Sequence, residues 1–152
     1  MTQTLREHEI AVEAPHAADA TLTFIGRIQT PWTRREDCPR RGQLDGPDCA
    51  LVIDPPWDQA LDGIEAFEML DVLYWLHRSR RDLVRQNPAH TGKARGTFAL
   101  RSPIRPNPIG LSRVRLISRA GNRLIVRGLD CMDGTPLLDI KPATCPGAAQ
   151  PG

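Results

Sequence analysis

This sequence of 152 residues lacks several features that would place it in one of the common classes of protein. No apolar run approaches the roughly 18 residues of a membrane-spanning helix, so we expect no membrane association. The N-terminal segment lacks the charged-then-apolar pattern of a secretory signal, which indicates a cytoplasmic protein. Neither G-x-G-x-x-G after a strand nor G-x-x-x-x-G-K-[ST] occurs, which excludes the Rossmann and P-loop modes of nucleotide binding.

Paired cysteines are missing as well. Cys38, Cys49, Cys131 and Cys145 show neither C-x-x-C spacing nor a histidine at metal-ligand spacing beside them. We therefore expect no metal site and no disulfide, and we interpret the cysteines as small apolar residues of a cytosolic chain.

Lysine is scarce, because 18 of the 20 basic residues are arginines. A GC-rich genome would produce this bias, but arginine also suits bidentate recognition of phosphate or carboxylate. The net charge is only +2, so the chain as a whole does not have the field of a general nucleic-acid binder. The acidic residues lie mostly in the first half and the arginines crowd the second, which indicates a basic face there.

The local patterns predict short strands and many turns. Glycine and proline together supply 26 residues, which disfavours long helices. Alternating apolar and arginine residues on both sides of Ala120–Asn122 predict a hairpin. The predicted strands cover residues 23–32, 49–54, 71–79, 95–102, 112–119, 122–129 and 136–142, with a short helix or turn over 61–70 and a polar, flexible segment over 80–94.

These elements predict an all-β, mainly antiparallel fold, a small closed or partly open β-barrel with short helical segments. The length is sufficient for one domain with a real core. We expect a flexible arm over residues 1–20, the barrel domain over 21–143 and a disordered tail over 144–152.

Four polar loops are candidates for chemistry, although each is also compatible with an ordinary turn. In "CPRRG" (38–42) a glycine lets the backbone turn tightly beside two arginines. "LHR" ends an apolar strand with a histidine. "RSPIRPNPIG" (101–110) fixes Asn107 between two prolines, a preorganisation that lowers the ordering cost of binding. "DGTP" (133–136) offers a carboxylate in a turn.

Taken together, the loops resemble one known family. "FIGRIQTPW…CPRRG", "LDVLYWLHR", "GTFALRSPIRPNPIGLSRV" and "LDCMDGTPLLDIKP" occur in the order and approximate spacing of the TsaA-like (TrmO, YaeB) family. The resemblance runs from about Thr23 to Pro142. It implies a β-barrel methyltransferase that binds S-adenosylmethionine outside a Rossmann fold, usually as a homodimer. It also implies tRNA as the partner, methylated at N6 of threonylcarbamoyladenosine beside the anticodon.

The resemblance also implies the site residues. The cofactor-binding positions that it assigns are Pro39, Arg40, Arg41, His77, Arg78, Arg101, Leu111, Asp133, Gly134, Thr135 and Pro136. Within this framework we predict Asn107 as a positioning acceptor and Asp139, or else Asp133, as the carboxylate that receives the proton. We predict that Arg105, Arg113 and Lys141 hold RNA phosphates.

The sequence departs from the family pattern at three positions. Arg41 and Arg78 stand where the family often has glutamine, and Ala143 stands where the final motif usually continues with tyrosine. The chain also lacks the extra C-terminal domain that some bacterial members use on tRNA. Two alternatives to tRNA methylation therefore stay open: methylation of another acceptor, such as a small metabolite, and a non-catalytic module that binds the cofactor or RNA.

Overall fold

The computed structural model describes residues 4–13 and 19–145. Within these residues the chain divides into two units. The ring unit comprises Leu22–Trp75 and the described residues from Gly110 onward, and the small unit comprises the described residues up to Thr21 together with Leu76–Ile109. Most of the tail predicted over 144–152 lies outside the described residues, which end at position 145.

Short β-strands dominate the described residues, as the sequence predicts. The strands are β1 (Ile10–Ala11), β2 (Gly26–Gln29), β3 (Cys49–Ile53), β4 (Met69–Trp75), β5 (Leu83–Gln86), β6 (Arg95–Gly96), β7 (Ile109–Ala120), β8 (Arg123–Arg127) and β9 (Pro136–Pro142). Single 3-10 turns of helix cover Arg35–Asp37, Trp57–Leu61, Ile64–Ala66 and Thr97–Ala99. None of the helices in this described part has the length and apolar character that a bilayer crossing requires.

The ring unit is a barrel-like ring of six strands in the order β2-β3-β8-β7-β4-β9. β9 also pairs with β2 over a short seam, where Gly26 faces Leu137 and Arg27 faces Pro136. The predicted hairpin is present, because Ala120 pairs with Arg123 across a turn at Gly121. The prediction of an all-β, mainly antiparallel, barrel-type fold is confirmed.

Apolar side chains from every strand of the ring fill its interior. Alternate residues of β4 and of the first half of β7 are buried, which is the period-two pattern expected of strands with one face in a core. The fully buried side chains of the ring include Ile28, Leu51, Leu70, Val72, Val114, Leu124, Val126 and Leu137. This core fixes the register of the strands, because a slip by one residue would turn each apolar side chain to the opposite face.

Antiparallel pairing brings the ends of several strands to one end of the ring, which we call the loop end. The carboxyl ends of β2, β4 and β8 lie there, together with the amino ends of β3, β7 and β9. Trp75 and Gly110, where the chain leaves and re-enters the ring unit, are therefore both at the loop end. The long connections that the sequence marks as polar begin or finish at this place.

The small unit contains a three-stranded sheet in the order β1-β5-β6. Ile10 and Gly96 both pair with Arg85 of the central strand. The segment predicted as the N-terminal arm thus contributes a strand, while the bounds of the predicted barrel domain remain a prediction.

Two sequence predictions in the small unit are wrong. Residues 80–94 were expected to be flexible, but Leu83 and Gln86 are buried, at 2% and 3% exposure. Residues 95–102 were expected to form one strand, but the strand stops at Gly96 because Thr97 turns inward and donates its hydroxyl to the Leu83 carbonyl (2.7 Å).

Buried acidic protons make the ring unit sensitive to alkali. Burial raises the pKa of the Cys49 thiol to about 11 and that of the Cys131 thiol to about 12. Burial, together with the charge of Asp130, also raises the pKa of the Tyr74 phenol. The unfolded chain releases these protons at lower pH than the folded chain, so stability is complete below about pH 9 and declines above it.

We expect the free energy of unfolding to fall by roughly 1.4 kcal/mol per pH unit for each such group above about pH 9. Urea titrations at a series of pH values measure this slope. The double variant Cys49→Ala/Cys131→Ala should decline less steeply than the parent chain. Cys145→Ala is the matched control, because Cys145 is exposed and its removal should leave the slope unchanged. Equal slopes in parent and double variant would contradict the assignment.

Candidate functional site

The predicted segment Asp133–Pro136 is fastened to the residues that follow β2. The Asp133 N–H donates to the Trp32 carbonyl (2.7 Å), and the Thr30 N–H donates to Oδ1 of the Asp133 carboxylate (3.1 Å). The Thr30 hydroxyl donates to the Cys131 carbonyl (2.9 Å). The "DGTP" turn therefore has a fixed position at the loop end.

The "CPRRG" segment reaches the same place by a close backbone approach. A Cβ atom on Gly42 would overlap the carbonyl group of Gly128, so only glycine fits. Gly42 does not have a left-handed φ, so the close approach of the Gly128 carbonyl is what requires glycine at this position. Gly128 precedes Asp130 and Asp133 on one connection, so the "CPRRG" and "DGTP" segments are both attached to it. Arg40 and Arg41 are exposed beside this contact.

A buried hydrogen-bond network, centred on Tyr74, supports the loop end. The hydroxyls of Tyr74 and Ser112 lie 2.7 Å apart, and the Tyr74 O–H donates to Oδ1 of Asp130 (2.8 Å). Because its pKa is raised, the phenol keeps its proton and remains a donor at neutral pH. The ring of Tyr74 covers Gly110, where a Cβ would overlap the aromatic carbons. The final glycine of "RPNPIG" is thus dictated by this tyrosine.

Sequence reasoning missed the network. Tyr74 is the single tyrosine of the chain, and it lies on an inward position of a predicted strand, where a phenol needs a hydrogen-bond partner. Ser112 lies two residues before the buried Val114, on the same inward face of β7, which was a readable signal.

Leu111 is the last of the predicted cofactor-binding positions that lie in the ring unit. It lies near the start of β7, at the loop end, and is 49% exposed. Three sets of predicted cofactor positions, Pro39–Arg41, Leu111 and Asp133–Pro136, therefore lie at the same end of the ring.

The other predicted cofactor positions, His77, Arg78 and Arg101, belong to the small unit and lie in or beside the loop over residues 101–108. The Leu76 N–H donates to the Pro108 carbonyl (2.8 Å), and the Ser79 N–H donates to the Leu76 carbonyl (3.0 Å). His77 and Arg78 are the exposed central residues of this turn. The "LHR" turn thus lies beside the end of the "RSPIRPNP" loop, which the separation in sequence does not show.

Two arginines hold the loop from within the small unit. Arg81 donates through Nε to the Pro106 carbonyl (2.6 Å) and through Nη2 to the side-chain oxygen of Asn107 (3.4 Å). Arg105 donates through Nη1 to the carbonyls of Leu100 (2.6 Å) and Ser102 (3.2 Å). Arg105, predicted to hold RNA, therefore has a structural contact set of its own.

Gln86 is the third anchor of the loop. Its buried side-chain amide donates to the Ile104 carbonyl (2.7 Å) and to the Thr97 hydroxyl (2.9 Å). Nothing in a segment that reads as flexible marks this glutamine, because its partners, a threonine hydroxyl and a backbone carbonyl, lie 11 and 18 residues further along the chain. The loop is fixed at both ends and in the middle, which holds Asn107 on an exposed, defined backbone.

The remaining predicted residues are engaged in ion pairs on the ring. Arg113 pairs with the Asp71 carboxylate through two hydrogen bonds of 2.9 and 3.2 Å. Lys141 lies 2.8 Å from Oδ2 of Asp139, whose Oδ1 accepts from the Ile140 N–H (2.9 Å). Both oxygens of Asp139 thus have partners.

The basic face expected in the second half of the chain is largely neutralised on the ring. Strand arginines pair with acidic residues from the first half: Arg113 with Asp71, Arg115 with Glu68, Arg119 with Glu65 and Arg127 with Asp48. Most arginines of β7 and β8 therefore lie beside acidic residues of the first half of the chain, while Arg123 donates to the side-chain oxygen of Gln29 (2.7 Å).

Removal of the Gln86 amide should loosen the loop without unfolding the ring. Gln86→Leu leaves the Ile104 carbonyl and the Thr97 hydroxyl without this donor, at a cost of roughly 1–3 kcal/mol for each buried polar group left unsatisfied. Hydrogen exchange should show faster exchange of the amides over 97–108 and unchanged exchange in β3 and β8. The control Val84→Ala removes an exposed side chain from the same strand. Equal protection of the loop in both variants would contradict the anchoring role.

Comparison with known proteins places this arrangement in a family. Residues 27–145 match the model of the tRNA-methyltransferase O N-terminal domain. A probable S-adenosyl-L-methionine-binding protein, VirR from Rhizobium radiobacter, is 55% identical over 91% of this chain and 79% of its own length. The tRNA (adenine(37)-N6)-methyltransferase of Escherichia coli is 38% identical over 78% of this chain and 55% of that protein.

A solved structure agrees with the sequence relatives. The crystal structure of TrmO from P. aeruginosa superposes with a TM-score of 0.68 at 32% identity, over 90% of this chain and 62% of that one. The chain thus spans less than two thirds of the solved TrmO chain. A family model matched over most of the chain, together with a relative of 55% identity, identifies this chain as a member of the TrmO N-terminal domain family.

Proposed function

We propose that this protein is an S-adenosylmethionine-dependent methyltransferase that modifies N6 of an adenine in tRNA. The finer acceptor that we propose is threonylcarbamoyladenosine beside the anticodon. Relatives named as S-adenosylmethionine-binding proteins and as a tRNA adenine N6-methyltransferase support this function. The observation that supports it is that Pro39–Arg41, Leu111 and Asp133–Pro136 all lie at the loop end of the ring.

The residues at the loop end fit the cofactor by type. S-adenosylmethionine presents a carboxylate, an ammonium group, ribose hydroxyls and an adenine ring. Arg40 and Arg41 are exposed donors for the carboxylate. Oδ2 of Asp133 has no hydrogen-bond partner among the described residues and suits a hydroxyl or ammonium donor. Leu111 offers an apolar surface to the adenine.

We also propose cofactor-binding residues that belong to the small unit. His77, Arg78 and Arg101 are exposed and polar, as binding of a charged ligand requires. Pro39, Gly134, Thr135 and Pro136 contribute backbone shape. The position of Thr135 is fixed by its hydroxyl, which donates to the Met132 carbonyl (2.7 Å).

The bound cofactor supplies a methyl group made electrophilic by its sulfonium, so the protein mainly has to place the acceptor nitrogen in line. The lone pair of an adenine N6 is delocalised into the ring, and a hydrogen-bond acceptor on its N–H helps to localise it. We propose Asn107 for this role, because Arg81 holds its side-chain oxygen at an exposed position.

Between the two carboxylates considered for the proton, contacts favour Asp133. Both oxygens of Asp139 are engaged, by Lys141 and by the Ile140 N–H, so this carboxylate would contact an acceptor only by leaving these partners. Asp133 keeps one oxygen without a partner in the described residues. Lys141 and Arg113 would then reach RNA phosphates only by leaving their ion pairs.

A homodimer in the cytoplasm is part of the same proposal. The family resemblance supports both statements, and sedimentation of the purified chain measures the first.

The proposed function predicts binding of S-adenosylmethionine and methyl transfer to bulk tRNA. At a ligand concentration of 100 Kd, bound cofactor should stabilise the fold by about 2.7 kcal/mol. Calorimetry and thermal unfolding measure the binding, and mass spectrometry of digested tRNA identifies the methylated nucleoside. Transfer to a small metabolite alone would favour the alternative acceptor, and binding without transfer to any acceptor would indicate a non-catalytic module. Absence of cofactor binding would refute the proposal.

The role of Asn107 predicts a defect in the chemical step. Asn107→Ala should lower the single-turnover rate roughly 100-fold, in line with the loss of one positioning hydrogen bond, while the affinities for cofactor and tRNA stay within about twofold of the parent. Asn107→Asp retains an acceptor oxygen and should recover part of the rate. A full single-turnover rate in Asn107→Ala would show that the role is wrong.

A further inference from the structure

Positive charge is concentrated in the segment Leu76–Ile109. This segment carries eight basic residues and one acidic residue, a net charge of +7, whereas the rest of the chain carries 12 basic and 17 acidic residues, a net charge of −5. The single acid, Asp82, is paired with Arg80 at 2.7 Å. Residues 1–21 of the small unit bring four acidic residues and one basic residue, so the sequence of the unit remains at +4.

The cations of this segment are available to a ligand. Arg78, Arg85, Lys93 and Arg95 are exposed, and no ion pair joins them to an acidic residue of the described chain. The arginines of β7 differ in this respect, because Arg113, Arg115 and Arg119 are paired. The small unit therefore presents a cluster of exposed cations that no acidic residue of the described chain compensates.

An exposed aromatic ring lies among these cations. Phe98 is 82% exposed, the most exposed large apolar side chain of the described residues. It follows the buried Thr97, whose hydroxyl bonds with Leu83 and Gln86, so its backbone is rigid. The guanidinium of Arg105 lies over the ring, 6.0 Å from its centroid. A fixed aromatic ring with a cation above it, in a basic surrounding, is the composition of a nucleobase-stacking platform.

We propose that Phe98 stacks on an unpaired base of RNA, and that Arg85, Lys93 and Arg95 bind the phosphates of the same strand. This inference rests on the proposed function, because it takes the RNA substrate as given and assigns the surface that binds it. Single-stranded loops of RNA are recognised by bases that are splayed out onto aromatic side chains, while cations follow the backbone. The +7 charge of the segment selects a polyanionic strand over an apolar or basic protein partner.

The test uses a fluorescent RNA stem-loop with a single-stranded loop of seven nucleotides and measures its affinity by anisotropy. Phe98→Ala should weaken binding roughly 5- to 150-fold, the loss that corresponds to one stacked base. Phe98→Trp should retain the affinity, and Phe98→Leu should behave like Phe98→Ala, because leucine keeps apolar area but has no aromatic face. Full affinity in Phe98→Leu would mean apolar docking and would overturn the stacking role.

The phosphate contacts have a separate readout. The triple variant Arg85→Gln/Lys93→Gln/Arg95→Gln should reduce the salt slope of log affinity by roughly 2, at about 0.7 per phosphate contact on a single strand. Arg27→Gln/Arg123→Gln/Arg127→Gln removes the same number of charges from the ring unit and should leave the slope unchanged. Equal slopes in both triple variants would overturn the assignment of the surface.

Failure of this inference is distinguishable from failure of the proposed function. If the parent chain methylates tRNA but the variants of Phe98 and of the three cations bind RNA as tightly as the parent, the inference alone is overturned. Parent chain that binds cofactor but no RNA overturns both. A change of sedimentation in Phe98→Ala with unchanged RNA affinity would assign Phe98 to contact between copies and would overturn stacking. Cofactor affinity and melting temperature should not change in Phe98→Ala, since this side chain is mostly in solvent.

Discussion

The buried hydroxyl of Tyr74 is the interaction on which the loop end of the ring depends. It joins Ser112 on β7 and Asp130 on the connection before β9, while its ring lies against Gly110. A phenol in this position must find polar partners, because a buried donor without one costs about 1–3 kcal/mol. The two partners that satisfy it lie on β7, which carries Leu111, and on the connection that carries Asp133–Pro136. Tyr74 therefore couples core packing to the placement of the loops.

The strands were readable from the sequence because their signals are local. The alternation around Gly121 predicted the β7–β8 hairpin, and the run "PLLDIKP" gave the bounds of β9 as they are observed. The family motifs that fall in the ring unit lie at the loop end, because antiparallel pairing brings the connections that carry them to the same end of the ring. Where hydrophobic period and turn residues decide the structure, the prediction holds.

Polar residues that act at long range were not readable. Gln86 is separated from the Ile104 carbonyl by 18 residues, and no period or composition marks it as buried. Gly42 appeared to serve a turn, whereas the close approach of Gly128 is what excludes a side chain. The arginines of β7 were expected to form a basic face, but the fold brings the acidic residues Asp71, Glu68 and Glu65 beside them. In each case the cause lies in tertiary contact, which a single sequence does not display.

The hydrogen bond from the Leu76 N–H to the Pro108 carbonyl (2.8 Å) holds the two ends of the segment between them next to each other. Because the two ends of this segment are bonded to each other, the register of the ring strands does not depend on the length or content of the segment between them. Evolution is thus free to lengthen, shorten or rewrite this part of the chain while the ring keeps its register. Changes of substrate preference among related chains have, in this segment, a place to accumulate at little cost to the core.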